Sequence, residues 1–189
     1  MKKLYFIAGP NGAGKTTASY QILPELWQCQ EFVNADEIAK GLSPFNPEDV
    51  AIEAGRIQLE RINQLLKADT TFSVETTLST KSYRNLILRA KENGYEVELL
   101  YFYLPSAEDA IERVRLRVLS GGHNIPKDVI CRRYERGLVN LFQIYLPIVD
   151  KWRLVNNIKT PPTTIARKND DIEVTDNVLF NKLIEHYGK

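Results

Sequence analysis

The residues most able to do chemistry stand near the start of the chain, in Gly9-Pro-Asn-Gly-Ala-Gly-Lys-Thr-Thr17. Gly9, Pro10, Asn11, Gly12, Ala13, Gly14, Lys15 and Thr16 fit GxxxxGK[ST] at every fixed position. Glycines let backbone N–H groups turn inward around a phosphate. Lys15 brings a positive charge to the β and γ oxygens, and the Thr16 hydroxyl suits Mg²⁺. The helix expected from Lys15 onward adds its N-terminal dipole. Thr17 extends the cradle. The segment therefore predicts binding of ATP with Mg²⁺. A dinucleotide fingerprint fits less well: Gly12-Ala-Gly14 opens GxGxxG, but Thr17 holds the third glycine position and Lys15-Thr16 would have no task.

Two carboxylates follow at expected strand ends. Asp36 closes Phe32-Val-Asn-Ala-Asp36, and Glu75 lies in Phe72-Ser-Val-Glu-Thr-Thr77. In open α/β sheets, ligands gather at the carboxyl ends of strands. A phosphotransferase needs one carboxylate to accept a hydroxyl proton and one to orient Mg²⁺ or its waters. Asp36 and Glu75 can divide that work, with the Thr76 and Thr77 hydroxyls near the acceptor. The plainer reading of Asp36 is a cap for the helix of Glu37–Lys40.

A basic block lies further on. Arg113, Arg115, Arg117, Lys127, Arg132, Arg133 and Arg136 face only Asp128 and Glu135, inside a chain of net charge +1. This predicts an arginine-rich lid over about residues 113–136, whose guanidinium groups neutralise charge on a transferred phosphoryl group. Arg113 and Arg115 read instead as a solvated face paired with Glu108, Asp109 or Glu112. Between the lid helices, Leu119-Ser-Gly-Gly-His-Asn124 resembles the LSGGQ signature of ABC transporter ATPases. In those motors an apolar strand ending in Asp-Glu follows closely, whereas an arginine-rich helix follows here.

The elements that must position these groups alternate. Strands are expected at Leu4–Ala8, Glu31–Asn34, Thr70–Val74, Glu96–Leu104, Trp152–Asn156 and Thr163–Arg167. Helices are expected at Lys15–Leu26 (with Pro24 a disturbance), Pro47–Lys67, Lys81–Asn93, Ser106 to Leu119, Lys127 to Tyr145, and Asp176 to His186. Val50, Ile52, Ile57, Leu59, Ile62, Leu65 and Leu66 supply the periodicity of the long helix. Such alternation predicts a three-layer α/β/α fold with a central, mostly parallel sheet of about five strands, in one domain spanning residues 1–189.

A hydrophobic share of 43% with 26% charged residues fits a globular chain and gives no global field for nucleic acid or membrane. The apolar run Leu4–Ala8 is too short for a signal peptide, and no run approaches a membrane span. Cys29 and Cys131 form no CxxC. The expected compartment is the cytoplasm. A nucleic-acid groove would interleave aromatics with the basic residues, and the lid offers only Tyr134, which disfavours a polynucleotide kinase.

The ordered set GPNGAGKTT, NAD, SVETTLST, RVLSGGHNIPKDVICRRYERGLVNL and WRLVNN resembles the zeta toxin family of P-loop kinases. The chain looks closest to its short stand-alone members, often described as predicted ATPases. The resemblance implies transfer of the γ-phosphate of ATP to a hydroxyl of UDP-N-acetylglucosamine or a related metabolite, with a small antitoxin occluding the site. It implies Asp36 as base, Lys15 and Thr16 on ATP and Mg²⁺, Glu75 on the acceptor, and Arg117 as the first lid arginine. The second lid arginine falls at His123, so Arg132, Arg133 or Arg136 is expected to substitute. The rival class is an ATP-driven motor or switch with a protein partner.

Overall fold

The computed structural model describes residues 1–189. Seven strands form one sheet in the order β2-β3-β1-β4-β5-β6-β7. They are β1 (Lys3–Ala8), β2 (Glu31–Val33), β3 (Phe72–Thr76), β4 (Glu96–Tyr103), β5 (Lys151–Asn156), β6 (Thr163–Lys168) and β7 (Ile172–Val174). The first five run parallel, and β6 and β7 pair antiparallel. β1 and β4 are central, and their segments Leu4–Ala8 and Leu99–Tyr103 are buried on both faces and read as unbroken apolar runs. The β7 strand lies beyond the sequence expectation. Its three residues sit among Asn169, Asp170, Asp171, Thr175 and Asp176, too short and too polar a setting to show a period.

Seven helices cover the sheet: α1 (Lys15–Gln21), α2 (Ala35–Leu42), α3 (Ala51–Lys67), α4 (Tyr83–Glu92), α5 (Ala107–Leu119), α6 (Lys127–Asn140) and α7 (Asn177–Tyr187). The first was expected to reach Leu26. It changes to a π-helical turn over Ile22–Leu26, because Pro24 has no N–H to donate and the ladder widens around it. The Trp27 N–H then reaches Ile22 O at 3.0 Å, and the Trp27 ring stacks on Tyr5 with centroids 4.3 Å apart. Ser106 and Asp176 cap α5 and α7 as expected.

The long helix α3 starts at Ala51 rather than Pro47, since residues 46–51 form tight turns. Its buried face is Ala54, Gln58, Ile62, Leu65 and Leu66, while Ile52 and Leu59 point outward. Ile62, Leu65 and Leu66 of the apolar count lie on this face, whose N-terminal half runs instead through Ala54 and Gln58.

α6 also ends early, in a π-helical turn over Leu141–Tyr145. Asn140, just before that turn, and Tyr145, its last residue, both reach the loop after β3. Asn140 Nδ2 donates to Leu78 O at 2.8 Å, and the Tyr145 hydroxyl bonds Thr80 O. Between them α6 lies so close that a Cβ on Gly137 would stand 2.5 Å from Thr77 O. Leu78, fully buried at φ +56°, holds a backbone conformation that leucine rarely adopts, and this clamp maintains it.

Two helical glycines should respond oppositely to alanine. A Cβ at Gly55 meets nothing within 4 Å, so Gly55→Ala is expected to stabilise the protein by about 0.5–1 kcal/mol. Gly137→Ala must push α6 off the loop after β3 and is expected to cost about 1–3 kcal/mol. Chemical denaturation of both variants checks the pair of signs.

Candidate functional site

The sheet order brings three strand ends side by side: β2, β3 and β1. In the β1–β3 register, Ile7 faces Glu75 and Ala8 faces Thr76. The chain leaves β1 into the Gly9–Thr17 loop directly beside Glu75. Gly9 sits so near β4 that a Cβ there would lie 2.4 Å from Phe102 O. Lys15, buried at the start of α1, donates from Nζ to Pro10 O at 2.9 Å and lies 4.0 Å from a Glu75 oxygen. The Thr16 hydroxyl sits 2.9 and 3.0 Å from the two Glu75 oxygens.

Burial dominates the electrostatics of this cluster. Desolvation pushes the Glu75 carboxyl above its ordinary value, against the opposing pull of Lys15 and the Thr16 hydroxyl. Burial likewise lowers Lys15, with Glu75 and Asp36 opposing. Both shifts record charged groups held out of water, the condition under which an incoming phosphate or cation is worth most.

Asp36 does not cap α2. Asn34 does, its Oδ1 accepting from the N–H groups of Asp36 (2.8 Å) and Glu37 (3.4 Å). The Asp36 carboxylate is thereby released toward the cleft, where it lines three adjoining cavities. The first is the phosphate-loop cavity, walled by Asn11, Gly12, Gly14, Lys15, Thr16, Thr17, Glu75, Arg113 and Arg117. The second is almost wholly polar, with Asn34, Gln58, Thr76, Thr77, Ser79, Thr80, Tyr83 and Arg133. The third lies toward α3, with Glu48, His123, Ile125 and again Arg133.

Pro10 and Ala13 contribute backbone oxygens. Pro10 O holds Lys15, and Ala13 O accepts from Asn157 Nδ2 at 2.8 Å. Arg132 and Arg136 are exposed and line none of these cavities. Arg133, the next residue round the helix from Arg132, lines the second and third cavities together with Asp36. Burial and the neighbouring Arg117 lower the His123 pKa, which favours the neutral ring.

Several residues of the site escaped the sequence reading. Arg113 does not join the surface carboxylates. Its Nη2 donates to Asn157 O (2.6 Å) and Ile158 O (3.0 Å), tying α5 to the β5–β6 turn behind the phosphate loop. Arg115 does pair with Glu112, as expected. Gln58 Oε1 accepts from the Tyr83 hydroxyl at 3.3 Å, and Nε2 is left unpartnered. Its signal was readable: a lone polar residue in the i, i+4 row Ala54, Gln58, Ile62. Asn157 closes the WRLVNN motif, but its role there is not written in the sequence, and no pattern announces that of Arg113.

Seven buried side-chain polar atoms lack a partner, and five of them line this cleft: Asn11 Oδ1, Asn34 Nδ2, Gln58 Nε2, Arg117 Nε and His123 Nδ1. Because buried polar groups are otherwise almost always paired, that concentration marks a site built around a polar ligand.

The family model described as Zeta toxin matches residues 1–172. The chain belongs to the zeta toxin family. An uncharacterized protein of Haemophilus influenzae is 36% identical over 134 residues, covering 70% of this chain and 92% of that one. Among solved structures, the AvrRxo1-ORF1:-ORF2 complex with ATP superposes with a TM-score of 0.79 at 20% identity, over 97% of this chain. This zeta toxin-like chain spans only 63% of the length of that matched chain. The PezAT toxin–antitoxin system of Streptococcus pneumoniae gives 0.65 at 17% identity, over 99% of this chain and 78% of that one. A sugar kinase from Janibacter sp. HTCC2649 gives 0.55 at 18%, over 85% and 88%. At these identities the structures establish a shared fold, that of P-loop kinases.

The opposing causes acting on Glu75 give a titration test. Its carboxyl should titrate above the ordinary carboxylate value in nucleotide-free protein, and both Lys15→Met and Thr16→Val should move it further up. The folded state then holds its proton where the unfolded state has lost it. This group's contribution to stability is greatest below pH 4.5, the ordinary value, and is lost as pH rises through the folded pKa. Side-chain carbon NMR of Glu75 against pH checks the direction, and a downward move in either variant would contradict the burial argument.

Proposed function

We propose that the protein is an ATP- and Mg²⁺-dependent kinase that transfers the γ-phosphate of ATP to a hydroxyl of a small phosphorylated metabolite, a UDP-sugar foremost. The observation that carries this reading is the place of Asp36. Its helix is capped by Asn34, and its carboxylate stands where the phosphate-loop cavity opens into the polar cavity.

The residue roles follow from position. Lys15 and the loop N–H groups bind the β- and γ-phosphates. Thr16 and Glu75 offer hard oxygen donors, the donor type Mg²⁺ takes, and their mutual hydrogen bonds fit a site where a hydroxyl ligates and a carboxylate orients metal-bound water. We therefore assign Glu75 to the Mg²⁺ side rather than to the acceptor. When bound, Mg²⁺ neutralises phosphate charge as it develops.

The acceptor hydroxyl sits in the polar cavity, and Asp36 takes its proton as the oxygen attacks the γ-phosphorus and the bond to the β–γ bridging oxygen breaks, releasing ADP. Phosphoryl transfer leaves little covalent work for a protein, so positioning and charge stabilisation dominate. Arg117 meets the transferred group, and Arg133 serves as the second lid arginine. Thr76, Thr77 and the free amide N–H groups of Asn34 and Gln58 read the oxygens of the acceptor. Arg133 and the third cavity lie open to its phosphorylated portion. In this reading residues 113–136 close over ATP. A small antitoxin covers the same cleft, an idea drawn from the toxin–antitoxin system among the structural neighbours, and the protein works in the cytoplasm.

Incubation with labelled ATP and a panel of UDP-sugars and sugar phosphates tests the reading. Lys15→Ala should abolish measurable ATP–Mg²⁺ binding by calorimetry. Asp36→Asn should leave ATP affinity nearly intact while cutting transfer by about 10²–10⁴-fold, the usual worth of a general base. Full turnover in Asp36→Asn, or a defect confined to ATP binding, would remove Asp36 from the role of base.

A further inference from the structure

The double glycine in Leu119–Asn124 has a structural task at the end of α5. Ser120 is the C-cap and Gly121, at φ +86°, takes the left-handed conformation. The Gly121 N–H donates to Val118 O at 3.0 Å, and the Gly122 N–H to Arg117 O at 2.9 Å. This pair of bonds is the Schellman closure of a helix, in which the residue at the Gly122 position usually packs an apolar side chain on the residue at the Arg117 position.

Here the arrangement is inverted. Gly122 offers bare backbone, and the aliphatic stem of Arg117 lies on it. A Cβ at Gly122 would stand 2.6 Å from Arg117 Cγ and 3.2 Å from Cδ. One residue on, the His123 carbonyl accepts from Arg117 Nη2 at 3.0 Å. Stem and head are both held, yet Nε remains buried without a partner, and Arg117 lines the phosphate-loop cavity with Lys15 and Thr16.

We propose that Gly122 and the His123 carbonyl form a cradle that positions Arg117 over the phosphate loop, so that the LSGGHN segment is a positioning element for phosphoryl transfer. The proposal rests on the reading that Arg117 meets the transferred group. An arginine is long and rich in rotamers, and ordering it at the moment of reaction is costly. The cradle orders it beforehand while leaving guanidinium donors unspent for phosphoryl oxygens. Gly122 and His123 touch no reactant in this role and act through Arg117.

The test uses the full-length protein and needs no acceptor. Calorimetry compares binding of Mg·ADP with binding of Mg·ADP plus aluminium fluoride, which mimics the transferred group. Gly122→Ala should bind ADP within about twofold of the wild type but lose about tenfold or more of the aluminium fluoride preference, as expected when a charge-stabilising donor is displaced. The double variant Gly122→Ala with Arg117→Ala should be no worse than Arg117→Ala alone, since the two changes act on one interaction.

Gly121→Asn is the control for damage to the loop. Asparagine tolerates positive φ, and a Cβ there meets no atom within 4 Å, so this variant should keep the preference. Retention of the preference by Gly122→Ala, its loss in Gly121→Asn, or additive losses in the double variant would overturn the cradle while leaving the kinase reading intact. Wild-type protein that fails to bind ADP would overturn the nucleotide reading itself. Wild-type protein that binds ADP without any aluminium fluoride preference would remove Arg117 from the transfer step, and the cradle with it.

Discussion

The pairing of β1 with β3 is the constraint on which the site depends. It sets Ile7 opposite Glu75, and so delivers a buried carboxylate to the side of a buried lysine. Neither charge is cheap to hold away from water, and removing one partner would leave the other uncompensated. Their proximity, with the Thr16 hydroxyl on both Glu75 oxygens, makes the arrangement tolerable before any ligand arrives. Adding β2 beyond β3 brings Asp36 to the same rim, so one sheet order accounts for both strand-end carboxylates of the cleft.

The two helices after β4 belong to different walls of that cleft. α5 is bound to the phosphate-loop side, through Arg113 on the β5–β6 turn and Asn157 on the loop itself. α6 is bound to the polar cavity, through Asn140 and Tyr145 on the loop after β3. Arg117 lines the phosphate-loop cavity and Arg133 the other two, and Asp36 lines all three. The connecting segment Ser120–Pro126 joins the walls, which is where a cap that also holds an arginine has most effect.

Much of this was legible in the chain. The phosphate loop, the strand-end carboxylates and the α/β alternation follow from spacing and residue type alone, and they led to the family. What escaped depends on the third dimension. Asp36 reads as a helix cap in sequence, and only the backbone shows that Asn34 takes that place and leaves Asp36 to the cleft. Gln58 breaks an apolar row, yet an isolated polar residue says nothing of what it faces. Of three neighbouring arginines on α6, the helical phase alone selects Arg133, and that phase is fixed by Gly137 meeting Thr77. Arg113 resembles a surface residue because its partners are backbone oxygens, which no side-chain pattern encodes.

The sheet is bounded on both sides by strands of three residues, β2 and β7. Each exposes a glutamate held by an arginine: Glu31 by Arg61 at 2.7 Å, and Glu173 by Arg167 at 2.6 Å. An extended segment from another molecule would find too little free backbone to zip onto and would have to displace a charged pair to reach it. Short, charged edges of this kind discourage ladder growth between molecules. A chain built on strands as apolar as β1 and β4 can therefore stay dispersed when crowded, because the faces that would template aggregation are interior and the rims that remain are poor seeds.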